Sequence, residues 1–392
     1  MNEVDSQAAG GHESPLGESE TGAALRTRPR SDCPVCGGPG QSSHRDLVDQ
    51  VWGAPGRWNM ARCVDRACDL RWLDPMPIAE DIGMAYRNYS THAVRAPSPD
   101  PPGDSLFERM KRAHLARLWG YPRKQPDRLA DMLSPLLVFM PQQRARLAAS
   151  VAHLRAEGRG RLLDVGCGAG DTLVRLRELG WHTQGVDLDP RAVEVARTRG
   201  LRVALGSLAA QNYPPDHFSA IILSHTIEHI HEPRALIREC FRILAPGGRL
   251  AIETPNAAAW CHVLFGSRWR GLEPPRHLQI FTLGSLGRVI RDAGFDLEYL
   301  ATSAKAAAFF ASASMTIAAA GDRGTPTQDR WGSATAALGA VAAASEVLLL
   351  ALVPDVGEEL VLVGRKPVAV YEAPIPVEDA QIAPMLAPES AA

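Results

Sequence analysis

Between Arg161 and Leu173 the chain reads RLLDVGCGAGDTL, with glycines at alternate positions, Gly166, Gly168 and Gly170, between a short apolar run and a helical pattern. Glycine at such a junction lets the backbone turn sharply and approach a ligand closely, so this stretch limits the fold more than any other. Strand and helix signals then alternate. RLLDV reads as a strand, LVRLRELG as a helix, HTQGVDL as a second strand and PRAVEVARTRG as its helix. RVAL and FSAIILS follow as strands, then the helix PRALIRECFRILA, a PGG turn and the strand RLAIETP. Units of this kind build a parallel α/β sheet with right-handed crossovers, and ligands sit at the carboxyl ends of its strands.

A dinucleotide fingerprint G-x-G-x-x-G begun at Gly166 would need its third glycine where Asp171 stands, so the loop is of another kind. Its form is D-x-G-x-G-x-G, with Asp164 at the strand end and a second acid, Asp187, closing the next strand in GVDLDP. With these motifs the chain resembles the class I S-adenosylmethionine-dependent methyltransferases, over roughly Gly160 to Pro367. The stretches SLAAQNYPPDHFSAIILSHTIEHIHEP and LAPGGRLAIETPN are similar to that family's third to fifth strands, including a Glu-His pair (Glu228, His229) after the fourth.

The resemblance implies an α/β fold with a doubly wound, mostly parallel, seven-stranded Rossmann-like sheet, and S-adenosyl-L-methionine as methyl donor. Carried over by position, it implies that Gly166, Cys167, Gly168 and Gly170 allow close approach of the methionine and ribose part, while Asp164 orders the loop. It implies that Asp187 holds the ribose, that Leu188 flanks adenine and that His225 lines the cofactor. A carboxylate suits two vicinal hydroxyls because one rigid group accepts both hydrogen bonds. Ser207 stands where the family often has an acid near the adenine amine, and Ser219 replaces an aspartate.

Near the start, CPVCGG and CVDRAC place Cys33, Cys36, Cys63 and Cys68 in a C-x2-C, C-x4-C pattern. Four thiolates close a tetrahedral zinc shell, and the Pro and Gly around the first pair suit a tight knuckle. A unit this small has little core, so a structural Zn2+ would supply much of its stability. The other reading is four thiols with accidental spacing. The spacing predicts a zinc ribbon over 31–77, a helical linker and lid over 78–150, and the methyltransferase domain over 151–367, between tails 1–30 and 368–392. An odd total of seven cysteines, and no apolar stretch of secretory length within 1–30, suggest a cytoplasmic protein.

Methyl transfer to oxygen or carbon usually needs a base, and His225, His229, His262 and His277 lie near the strand ends or the lid. WRGLEPPRHLQIFT (269–282) resembles a signature of a bacterial subgroup in which a zinc ribbon precedes this core and the segment lines the acceptor pocket. That resemblance puts His277 first as the base, with His229 and His225 behind it; a structural role for His277 is the alternative. Arg268, Arg270 and Arg276 would make the lid basic, suited to a phosphate or carboxylate on the acceptor.

Two apolar runs, 306–320 and 335–353, read as a helical insertion within 301–355 that is buried or pairs two copies of the chain. Peripheral membrane contact is the alternative. With 42 basic and 44 acidic side chains the chain has no global field for nucleic acid. The expected activity is methyl transfer to a small-molecule or saccharide acceptor, at oxygen first. Sugar C-methylation, a ribbon that docks the enzyme on a macromolecule, and a cofactor-binding regulator without activity are the other readings.

Overall fold

The computed structural model describes residues 25–87, 105–123, 125–321 and 333–368. Most of the two expected tails and the Pro-rich stretch after 87 fall outside these residues.

The N-terminal unit consists of β1 (Thr27–Arg28), β2 (Gly40–Leu47), β3 (Trp58–Cys63), β4 (Arg71–Leu73) and β5 (Met76–Pro77). β2, β3 and β4 form an antiparallel meander, and β1 pairs with β5. Three helices follow: α1 (Leu106–Trp119), α2 (Arg128–Leu133) and α3 (Pro141–Ser150). Ser105 and Asp127 cap the first two by accepting from backbone N–H groups, and Gly120, at φ 75°, ends α1 in the left-handed conformation.

The sheet is then laid down by alternation. β6 (Arg161–Val165), α4 (Asp171–Glu178), β7 (His182–Asp187), α5 (Pro190–Thr198), β8 (Val203–Leu205), β9 (Phe218–Ser224), α6 (Pro233–Ile243) and β10 (Leu244–Pro255) lie in the order the periodicity predicts. α7 (Trp260–Phe265), β11 (Gln279–Ile280), α8 (Leu283–Asp292) and β12 (Asp296–Ser303) come next. An apolar hairpin of α9 (Ala307–Ala320) and α10 (Ser333–Leu350) then precedes the last strand, β13 (Glu359–Arg365).

Seven strands pair in the order β12-β13-β10-β9-β6-β7-β8. β8, β7, β6, β9 and β10 are mutually parallel, and β13 runs antiparallel to both of its neighbours. β9 has a buried run, Ala220 to Leu223, as a central strand covered on both faces must. α6 buries Leu236, Ile237, Cys240 and Ile243 at helical spacing against it.

A feature absent from the sequence reading joins the two units. β11, only two residues long, adds to the edge of the ribbon, giving the order β11-β4-β3-β2. Cys33, Val35, Trp72 and Met76 of the ribbon share one continuous core with Phe218, Ile221 and Leu250 of the main sheet. The contact is close: a Cβ on Gly284 would lie 2.0 Å from the carbonyl oxygen of Ala67.

Candidate active site

At the end of β6, Gly166, Gly168 and Gly170 all take left-handed backbone, at φ 77°, 52° and 83°. A side chain at Gly166 would also meet Thr226 Oγ1 at 2.6 Å, and one at Gly170 would meet Leu201 at 2.2 Å. The loop therefore requires glycine for both conformation and space. Asp187 closes β7 and fastens the loop: its two carboxylate oxygens accept from the backbone N–H groups of Gly168 at 2.7 Å and Asp189 at 2.8 Å. Each oxygen keeps a second lone pair for a hydroxyl. Burial raises the Asp187 carboxyl above its ordinary value, although those N–H groups oppose the shift.

Asp164, 3% exposed beneath the loop, is pushed up to about 7 by burial and by the charge of Asp187. Leu188, next to Asp187, is 67% exposed, an apolar side chain left bare beside the loop. Ser207 is exposed, and its hydroxyl accepts from Ala210 N–H at 3.3 Å, capping a short turn.

Across the sheet, the ends of β9, β10 and β13 carry charge. His225 follows β9 with φ 50°, a costly conformation for a residue with a side chain. Its Nε2 lies 3.0 Å from Glu359 and its Nδ1 3.4 Å from Glu228. Desolvation alone would lower the imidazole, but bonds with the two carboxylates outweigh it and hold the ring near 10, hence charged. Glu228 is held down at about 2: burial opposes ionisation, and His225 overcomes it. Lys305 bridges Glu253 at 2.8 Å and Glu359 at 3.4 Å, and Glu253 also pairs with His153 at 2.9 Å. A line of charges thus runs along the strand ends.

His229 lies one step further out. Its Nδ1 is 2.9 Å from the carbonyl of Arg276 and 3.0 Å from the Tyr86 hydroxyl. A nitrogen facing a carbonyl carries the proton, which leaves Nε2 with the free lone pair. The His277 ring is 4.8 Å from that of His229, edge to face. His277 is 6% exposed, has its Nδ1 2.7 Å from the Gly271 carbonyl, and is pushed down to about 4 by burial, so it is neutral.

Residues 139–300 match a protein family described as "Methyltransferase domain". A ubiquinone biosynthesis O-methyltransferase of Xanthomonas oryzae pv. oryzae is 30% identical over 203 residues, which cover 48% of this chain and 80% of that protein. The protein of the same description from Nitrosospira multiformis is 26% identical over 208 residues, covering 49% of this chain and 82% of its own. This chain is a class I S-adenosylmethionine-dependent methyltransferase. Among solved structures, an S-adenosylmethionine dependent methyltransferase from Mesorhizobium loti covers 56% of this chain and 97% of its own at 18% identity, with a TM-score of 0.39, too low to argue from.

The methyltransferase brings Asp164, Gly166, Cys167, Gly168, Gly170, Asp187 and Leu188 together at the ends of β6 and β7, as the motif reading placed them. The glycine conformations, the carboxylate with spare lone pairs and the bare Leu188 fit S-adenosylmethionine. His225, His229 and His277 form a second group. Of these, His225 has both nitrogens turned to carboxylates, and His277 lies below the surface.

The basic lid is a correction. Arg270 and Arg276 are 8% and 0% exposed, paired with Glu273, and Arg276 also donates to Asp49 at 2.9 Å. Their charge is spent inside the fold, and neither can meet an acceptor. His262 is likewise internal, stacked on Trp269 at 4.5 Å and pushed down to about 3 by burial.

In the ribbon, the sulfurs of Cys33, Cys36, Cys63 and Cys68 all lie within 4.8 Å of one another. The Gly37 N–H donates to the Cys33 carbonyl at 2.9 Å, with Gly37 at φ 74°, making the knuckle that the sequence suggests. Burial pushes the Cys63 thiol up to about 12, and the contact with the Cys33 sulfur, followed by burial, raises Cys68, so uncharged thiols are favoured until a cation binds. Four sulfurs and no fifth donor suit structural Zn2+. Two other groups come as close, Glu228-His229-His277 and Cys261-Glu346-Glu358, but their carboxylates already serve protein partners.

Glu253, Lys305, Glu359, His153 and Tyr86 were not found from sequence. One signal was available: Glu358 precedes and Glu359 opens β13, whose next residues, Leu360 to Val363, are apolar, and both acids are buried. Paired acids in such a place need partners.

Proposed function

We propose that this methyltransferase makes a methyl ether on a hydroxyl of a small-molecule acceptor seated over the ends of β9, β10 and β13. The observation that carries the reading is the pair of histidines after β9: His229, its Nδ1 held 2.9 Å from the Arg276 carbonyl, and His225, 40% exposed with its ring nitrogens 3.0 Å from Glu359 and 3.4 Å from Glu228. S-adenosylmethionine, when bound, supplies an electrophilic methyl group.

In this reading His229 Nε2 takes the acceptor proton, while the Arg276 carbonyl and the Tyr86 hydroxyl hold the ring through Nδ1. His277, neutral and buried, supports that ring from below rather than meeting the acceptor. The relatives named for ubiquinone biosynthesis favour a quinone-type hydroxyl over a saccharide one.

The test is turnover of labelled S-adenosylmethionine with hydroxylated aromatic and sugar acceptors, identifying the methylated product. His229→Ala should lower kcat by about 10²–10⁴ while leaving cofactor affinity unchanged. Unchanged kcat would remove His229 from the chemistry, and a product methylated on carbon would overturn the ether reading.

A further inference from the structure

Between 129 and 140 six large apolar side chains stand in solvent: Leu129 is 45% exposed, Met132 68%, Leu136 53%, Val138 49%, Phe139 80% and Met140 41%. They belong to α2, the 3-10 turn Ser134–Phe139 and the residue before α3. Ala130, Ser134 and Leu137 are the buried members of the same stretch and pin it to the body, so the apolar side chains point outward from an anchored turn.

The charge around this patch is one-sided. Residues 105–155 hold ten basic and three acidic side chains, in a chain that has 42 and 44 overall. All three acids are already paired within the segment, Glu108 with Lys111, Asp127 with Arg109 and Asp131 with Arg123. Arg117, Arg128, Arg144, Arg146 and Arg155 are exposed. Exposed apolar side chains flanked by an excess of basic over acidic residues suit an anionic lipid surface, in which apolar groups enter the interface and each exposed arginine adds attraction. A second copy of the chain would oppose like charges across the same face.

The helical hairpin, where the sequence suggested membrane contact, lacks that second element. α10 also exposes Leu338, Val341 and Leu348, but between 333 and 353 the only charged residue is Glu346, itself buried. No helix among the described residues is long and apolar enough to cross a membrane.

We propose that residues 128–140, with the basic faces of α1 and α3, form a docking surface for an anionic bilayer. A cleft of about 710 Å³ adjoins α1 and α3, its lining including Trp119, Pro141, Arg144, Glu157, Glu298 and Tyr299, so docking through these helices would bring it near the lipid boundary.

Co-sedimentation of the full chain with phosphatidylglycerol–phosphatidylcholine vesicles, against phosphatidylcholine alone, tests this. The expected result is a preference for the anionic vesicles of about tenfold or more that weakens as salt is raised. Met132→Ser with Phe139→Ser, and separately Arg144→Glu with Arg146→Glu, should each abolish most of that binding while melting temperature and cofactor affinity stay as they were.

Equal binding to both vesicles, or none to either, overturns the proposal. So does a dimer in vesicle-free ultracentrifugation that Phe139→Ser dissolves, or binding to single-stranded RNA without binding to vesicles.

Discussion

The turn after β6 is built and fastened by local chemistry, whereas the ends of β9, β10 and β13 are held by residues drawn from distant parts of the chain. In the first region three glycines and Asp187, within 22 positions of one another, build the turn and fasten it. In the second, His225 meets Glu359, Glu253 meets both His153 and Lys305, and the segment carrying His277 is tied to the ribbon through Arg276 and Asp49. A donor common to many enzymes can be held by one compact motif. The charged cluster at β9, β10 and β13 is assembled from many elements, and its stability depends on all of them.

The ribbon offers the strongest way to break this contrast. Zinc removal, or Cys36→Ser, should cost several kcal/mol, given that structural zinc contributes about 10 kcal/mol or more to small metal-dependent units. Because β11 extends the ribbon sheet, hydrogen exchange should show 58–73 and 279–282 losing protection together while 161–187 keeps it. Uniform loss across both regions would show that the two halves are one cooperative unit after all.

Arg276→Met comes next. It removes the guanidinium that Asp49 and Glu273 share, leaving Asp49 to its backbone N–H donors and Glu273 to Arg270, with an expected cost of about 3–5 kcal/mol by denaturant unfolding. Doubling the variant with Asp49→Leu should return part of that loss.

Asp164 sharpens the comparison from the other side. Folding raises it to about 7, so between its unfolded value near 3.8 and that pH the folded chain keeps a proton the unfolded chain has released. Its contribution to stability is therefore complete below the lower value, declines as pH rises through the window, and is constant above it. Asp164→Asn should gain on the parent as pH climbs from 4 to 7, by up to about 4 kcal/mol, and no further beyond. A gap that does not change with pH would place the carboxyl in water.

The same division governs what the sequence discloses. The glycine turn, the closing acids and the alternation of β6 to β10 are short-range patterns, and each can be read from neighbouring residues. The parallel sheet and the cysteine knuckle follow from them. β11 is two residues inside LQIFT, too short for any periodicity, and only its pairing with β4 makes it a strand. Arg270 and Arg276 look like surface charge because nothing nearby in sequence shows that Glu273 and Asp49 close over them. His225 has its pairing with Glu359 only because β13 returns from beyond an apolar hairpin, a contact 134 positions long.

The smallest expected effect bears on the central claim that the Gly166 turn and Asp187 hold S-adenosylmethionine. Titration calorimetry of the full chain with this donor and with its demethylated product should register binding, and Asp187→Ala should weaken it by about 1.5–3 kcal/mol, roughly ten- to a hundredfold. Identical affinity in the variant, or a parent protein that binds a pyridine dinucleotide and neither sulfur compound, would contradict the account.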